Sequence, residues 1–302
     1  MSDILSMIPT ILMIVSPILI AAIGGMICER CGVVNIALEG LMAIGACTAA
    51  ATHYLMEFAG HGRYSLTVAI LAGSAIACLF SIIHAFASIN LKADQTISGT
   101  GINLLADGVT IFASQILFNA DRTKEFKVGM LVDGLGLYPT AYIALVVVLL
   151  SWVMLYKTAF GLRLRACGEH PAAADSVGIN VKRMRYYGVL MSGFLAGLAG
   201  GCVVLTQTIQ YTSVTINGRG FIALAAVAFG RWTPLGVTGA ALLFGGAQAM
   251  SIIATNFDAL KNLPTEIFNI VPYAITLVTL IIFSGRDFAP KSVGRPYEKG
   301  AS

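Results

Sequence analysis

From Ile4 to Ile27 the chain runs for twenty-four residues without a charge. Lipid offers no partner to backbone N–H and C=O groups, so a segment this long and apolar crosses a bilayer as a helix of about 20 residues. Only Asp3 precedes it among charged residues. It exceeds the apolar part of a cleavable signal and no small-x-small site follows, so it reads as a retained first span. The same criterion draws helices at 38–56, 65–89, 96–118, 139–156, 186–206, 234–255 and 265–284, with a shorter one at 220–230. The expected fold is all-α: one polytopic transmembrane bundle over residues 1–302, with about 8–10 spans. Two crossings are short or glycine-interrupted and read equally well as re-entrant.

Composition agrees with this and narrows function. Hydrophobic residues make up 57% of the chain and charged residues 11%, with a mean hydropathy of +0.82. The aqueous remainder is too short for a separate catalytic or nucleotide-binding domain, and neither a GxxxxGK[ST] loop nor a GxGxxG turn is present. Energy for any transport work therefore comes from outside this chain. No HExxH, GxSxG or defensible Ser/His/Asp set points to catalysis, and no cofactor or nucleic-acid partner is expected. Cys28 and Cys31 form a lone CxxC without a second pair, which reads as small membrane-compatible residues rather than a metal site. His53 and His84 lie singly in apolar spans and read as packed, hydrogen-bonded side chains; no metal site is expected.

Positive charge sets orientation. Between Lys157 and Arg185 lie Lys157, Arg163, Arg165, Lys182, Arg183 and Arg185, against Glu169 and Asp175. Basic residues beside membrane spans mark the cytoplasmic side. With that loop inside, nine alternating crossings place the N-terminus outside and thirteen Lys/Arg in the inner segments against six in the outer ones.

The span at 96–118 carries the sharpest internal polarity. Thr96, Thr100, Asn103, Asp107, Thr110 and Ser114 recur at steps of three and four, which puts them on one helical face. A carboxylate near the span centre costs about 2.5–3.5 kcal/mol, so Asp107 must face a partner, a cavity or water. The stripe either lines a solute path or forms an interhelical polar seam. Asn35 and Glu39 lie one helical turn apart on a glycine-flanked element; they cap or pack against a helix, or contact solute. Gln207, Gln210, Tyr211 and Asn217 make an amide-rich connection beside Phe221, suited to a sugar or base ring and equally to an ordinary polar loop. Residues 32–45 and 220–230 echo each other weakly, and paired broken elements in two halves point to a transporter with its pathway at the repeat interface.

Within the basic loop, EHPAAADSV (Glu169 to Val177) reads as a short helix: Pro171 suits its first turn, the alanines favour it and Gly178 ends it. Its small exposed residues fit a groove on a protein partner better than a lipid surface, which would select bulky apolar residues. The stretch GLRLRACGEHPAAADSVGINVKRMRYYGVLMSGFLAGLAGG resembles the cytoplasmic loop and following helix of ABC-importer permeases for sugars, branched-chain amino acids and nucleosides, with the pattern G-x-x-x-R-A-x-G-E-x-P-x-A-A-x-x-x-G-I-x-V. GVVNIALEGLMAIGA is similar to that family's first-half element. LKADQTISGTGINLLADG and FAPKSVGRPYEKG look like the nucleoside-importer branch, and the chain is similar to its smaller permease.

The resemblance implies a cell-membrane subunit that imports purine or pyrimidine nucleosides without being an enzyme itself. It implies three partners: a cytoplasmic ATPase with two nucleotide-binding halves, a second permease, and an extracytoplasmic substrate-binding lipoprotein. Residues 157–185 would be the coupling loop, with Glu169, His170, Pro171, Ala173, Ala174 and Gly178 at the ATPase. Asn35, Glu39, Thr100, Asn103, Asp107, Gln207 and Phe221 are the candidate path. The competing expectations are import of simple sugars or branched-chain amino acids by the same family, or ion-coupled secondary transport with Asp107 as the ion site.

Overall fold

A computed structural model describes residues 2–132, 136–254 and 288–298, with Ile270, Ala274, Leu277, Val278 and Ile281 between the last two stretches. The described residues form ten α-helices and no strand: α1 Ser2–Arg30, α2 Leu38–Phe58, α3 Gly62–Ala85 with a π-helical extension Phe86–Asn90, α4 Gln95–Phe118 and α5 Pro139–Lys157. After these come α6 Ala159–Glu169, α7 Pro171–Ser176, α8 Val181–Gln207, α9 Arg219–Phe229 and α10 Pro234–Ala254.

Local chemistry explains the ends. Asp94 caps α4, its carboxylate accepting from the N–H groups of Thr96 and Ile97 at 2.8 and 3.0 Å. Asn119 ends that helix in the left-handed conformation, φ 56°. Pro139 opens α5 at the position where its missing N–H costs nothing. Thr158 Oγ1 and Asn180 Oδ1 cap α6 and α8. Pro9 and Pro17 sit inside α1, as proline does where a bundle re-satisfies the freed backbone groups.

Six of these helices are long and apolar enough to cross a membrane among the described residues: Met7–Arg30, Tyr64–Asn90, Gln95–Phe118, Pro139–Lys157, Val181–Gln207 and Pro234–Ile252. The span expected at 38–56 forms as α2, 21 residues long, but lies outside that set. It carries Glu39, His53 and Glu57, and most of its length is buried by protein. The element expected at 220–230 is the eleven-residue α9, about 16 Å long and half a crossing. The span expected at 265–284 lies outside the described residues.

α8 runs through the centre, packed on α1, α2 and α3, while α9 and α10 lie against α1 and α4 against α2. The α2–α3–α8 junction is built from backbone. A Cβ on Gly73 would stand 2.5 Å from the Gly45 carbonyl oxygen, and one on Gly197 would stand 2.7 Å from that of Gly73. A Cβ on Gly200 would fall within the contact radius of the Met42 carbonyl oxygen. Between helices in lipid, this close approach is what small residues provide.

The stretch 157–185 is not an irregular loop. It is α6, α7 and the first turn of α8. Nor are all its cations at the surface: Arg185 is 1% exposed, and Arg165 stacks over the Tyr156 ring with its guanidinium carbon 4.7 Å from the centroid.

Candidate functional site: a capped half-helix, an amide-lined cavity and a surface helix

The bundle carries three features of this kind. α9 is the first. Its C-terminal end is tied to the end of α1, where Arg30 Nε donates to the Trp232 carbonyl at 2.7 Å and Trp232 Nε1 donates to Glu29 at 2.5 Å. Its N-terminal end faces α2, where the Glu39 carboxylate accepts from the N–H groups of Gly218 and Gly220, each at 2.6 Å. A carboxylate there satisfies two orphan donors and complements the positive end of the helix dipole. Gly220 admits it because a Cβ would stand 2.5 Å from the Glu39 nitrogen. The two echoing segments of the sequence thus meet at this cap. Glu39→Ala is expected to cost roughly 2–4 kcal/mol by stranding two partly buried donors, and Glu39→Gln less than half of that. Thermal unfolding of the purified protein checks both values.

Asn35 is fully buried, and its Nδ2 donates to Ser192 Oγ at 2.8 Å, so it holds α8 rather than facing an open path. Asn103 clamps the start of α2: its Oδ1 accepts from the Gly40 N–H at 2.8 Å and its Nδ2 donates to the Ile36 carbonyl at 3.0 Å. The polar stripe of α4 therefore divides. Asn103, Thr110 and Ser114 turn inward, with Thr110 accepting from the Tyr211 hydroxyl at 3.0 Å. Thr96, Thr100 and Asp107 lie on the exposed side beside Ile97, Leu104 and Leu105, and Thr100 Oγ1 bonds back to the Thr96 carbonyl. The Asp107 carboxylate has no hydrogen-bond partner among the described residues.

The second feature is a cavity of about 650 Å³ between the start of α1, the end of α8, the 208–218 connection and Ile252 of α10. Gln207, Gln210, Asn217 and Arg219 line it; Phe221 is exposed and outside its lining. Tyr211, from the same connection, is instead wholly buried, its N–H donating to Thr123 Oγ1 and its carbonyl accepting from the Thr123 N–H. Those bonds, with Phe126 N–H to the Ile209 carbonyl and Met130 N–H to that of Leu205, fasten the connection to the 119–130 segment.

The third is the surface helix. Pro171 is the first residue of α7, and Gly178, at φ +84°, reverses the chain after it. Only glycine adopts that angle without strain. His170, Ala172, Ala173, Ser176 and Val177 are exposed, whereas Ala174 is 3% exposed and packs inward. Glu169 is engaged within the chain, pairing with Arg30 at 3.6 Å and accepting from the Lys291 N–H at 3.4 Å. Ala174 and Glu169 thus anchor α7, and their neighbours make its exposed face.

A family model described as the permease component of the branched-chain amino acid transport system matches residues 7–280. The chain belongs to this permease family. The guanosine ABC transporter permease protein NupQ of Bacillus subtilis is 44% identical to it, covering 97% of this chain and 96% of its own. The nucleoside ABC transporter permease protein NupC of Lactococcus lactis is 36% identical, covering 94% of each. A second Bacillus subtilis protein, the guanosine ABC transporter permease protein NupP, is 26% identical over 95% of this chain and 84% of its own. The permease is a multi-pass protein of the cell membrane and a transporter component rather than an enzyme.

Sequence reasoning missed one element of the permease beside α7. Residues 288–298 fold back over α6, with the Ser292 N–H and Oγ on the Gly168 carbonyl at 3.0 and 2.6 Å, and the Arg295 carbonyl accepts from Arg185 Nη1 at 2.9 Å. Lys92 pairs with Glu298 and holds its carboxyl below the usual range. Burial, then a hydrogen bond to Asp175 of α7, pushes the Tyr297 phenol up. The only signal for this was the family-like FAPKSVGRPYEKG, which says nothing of where the segment docks. His84, read as a packed side chain, bonds through its ring nitrogens to Ser98 Oγ at 3.0 Å and the Val34 carbonyl at 2.9 Å. Cys28 and Cys31 are buried free thiols, and no group of three or more metal-binding side chains gathers among the described residues.

Proposed function

We propose that the chain is the permease subunit of an ATP-driven importer of nucleosides. The observation that carries this reading is identity of 36–44% over 94–97% of the chain to two permeases named for guanosine and nucleoside transport, from two organisms. The occurrence of NupQ and NupP, both named guanosine permeases, in one bacterium supports a partner permease that differs from this one. On this reading the cytoplasmic ATPase carries two nucleotide-binding halves and sits against α7, and a substrate-binding lipoprotein delivers solute at the opposite end. ATP binding and hydrolysis shift α7; the spans follow as rigid bodies and open the path alternately to receptor and cytoplasm. Each ligand biases those states only by its differential affinity for them. The exposed side of α4, where Asp107 and Thr100 stand among apolar residues, meets the second permease and borders the path, which removes an isolated carboxylate from lipid.

The test is purification of the tagged chain from mildly solubilised membranes, with every co-purifying protein identified by mass. Recovery of one ATPase with tandem nucleotide-binding halves, a second permease and a nucleoside-loaded lipoprotein is the expected result. Recovery of the chain alone, with uptake in proteoliposomes driven by an ion gradient and lost in Asp107→Asn, would replace it by secondary transport.

A further inference from the structure

The cavity beside the N-terminus of α9 is built rather than left over from loose packing. Arg219 is fixed there by three bonds: Nη1 donates to the carbonyls of Thr215 and Ile216 at 2.6 and 3.2 Å, and Nη2 donates to Gln207 Oε1 at 2.8 Å. Gln207 is itself held, since its Nε2 donates to the Met13 carbonyl at 3.0 Å. The Arg219 Nε–H is buried out of reach of the cavity and has no acceptor among the described residues. Two further cavity residues, Gln210 and Asn217, have side-chain amides with no hydrogen-bond partner among the described residues. Asn217 is exposed and turns the chain at φ +48°, a conformation asparagine adopts more readily than most residues.

The charge balance says what such a cavity accepts. The Arg219 cation is offset by Glu39, whose carboxylate caps the same helix from behind through Gly218 and Gly220. A site with a balanced pair does not select an anion. It offers two amides, each presenting an acceptor oxygen and two donor hydrogens. That set complements the edge of a neutral heterocycle carrying adjacent carbonyl and N–H groups. Thr208 and Thr212 add hydroxyls for a sugar, and about 650 Å³ is in the range of small-molecule sites.

We propose that this cavity is a solute subsite within the permease, taking the base of an uncharged nucleoside against the amides of Gln210 and Asn217. The assignment rests on the nucleoside reading above. It places recognition in the membrane subunit as well as in the receptor: a solute released from the lipoprotein is held on Gln210 and Asn217 before it passes α9.

The complete complex in proteoliposomes, with saturating loaded receptor, separates the subsite from the broader reading. Uptake of radiolabelled guanosine, uridine, glucose and leucine is measured for the wild type, for Gln210→Ala/Asn217→Ala, and for Asn217→Asp, together with receptor-stimulated ATP hydrolysis. The double variant is expected to lose about tenfold in nucleoside uptake per ATP hydrolysed, which is the loss of one or two hydrogen bonds. Receptor-stimulated ATP hydrolysis is read alongside, and expressing uptake per ATP separates a weakened subsite from a change in receptor docking. Asn217→Asp, which keeps an acceptor and loses the donor, is expected to change the guanosine-to-uridine ratio severalfold. Wild-type uptake per ATP and an unchanged ratio in these variants would overturn the subsite while leaving nucleoside import standing. A wild type that carries only glucose or leucine would overturn both.

Discussion

Gly200→Ala is expected to destabilise the permease by about 3 kcal/mol or more, at the upper end of what overpacking costs. The added methyl meets the Met42 carbonyl, and neither it nor the flanking backbone has a rotamer to change. Gly239→Ala is the control. It lies in the helical span α10 with no described atom within 4 Å of its Cβ position, so the substitution should be neutral or stabilise by about 0.5–1 kcal/mol through helix propensity. Thermal unfolding of the two detergent-purified variants distinguishes them. Similar losses in both would mean that glycine flexibility rather than close approach governs these helices.

Ala173→Trp is expected to abolish transport, reducing uptake about 100-fold or more, with no loss of thermal stability. Ala173 is exposed on α7, so the ring displaces nothing inside the chain, but on the proposed docking it would hold apart α7 and the ATPase, which must meet closely to transmit motion. The informative readout is ATP hydrolysis by the assembled complex, which should no longer respond to loaded receptor. Ala173→Ser, which changes little volume, should behave as the wild type. Ala174→Trp is a different experiment: that residue is buried, and its replacement should unfold the α6–α7 region instead. Normal receptor-stimulated hydrolysis in Ala173→Trp would remove α7 from the ATPase interface.

What could be read from the chain was whatever rests on local spacing. The eight helices expected within the described residues form within a few residues of their predicted bounds, because length, apolarity and punctuation by Gly, Pro, Asn and Asp act over one or two turns. The short helix at Pro171 was visible for the same reason. α6 was not, because its Leu162, Leu164 and alternating arginines show no clear helical stripe. The remaining misses are contacts between residues far apart in sequence. Glu39 reaches Gly218 across 179 positions and Arg185 reaches Arg295 across 110, and no periodicity reports such partners. Helical spacing put six polar residues on one face of α4, yet could not divide those that turn inward from those that do not. Tyr211 looked like a loop residue because polar neighbours flank it; its burial follows from the pairing with Thr123.

The backbone-to-backbone contact among α2, α3 and α8 has a mechanical consequence. Helices separated by side chains can slide by exchanging rotamers, whereas carbonyls set against α-carbons offer nothing to exchange. Interiors packed in this way have low compressibility and transmit strain. The three helices therefore turn as one rigid block. Bending is left to the breaks in the chain around it: the 31–37 turn, the π-helical end of α3 and the Gly230–Thr233 corner between α9 and α10. On the proposed docking of the ATPase against α7, a push there would enter this block through α8 and emerge at the joints, with α8 as the lever and those breaks as its hinges.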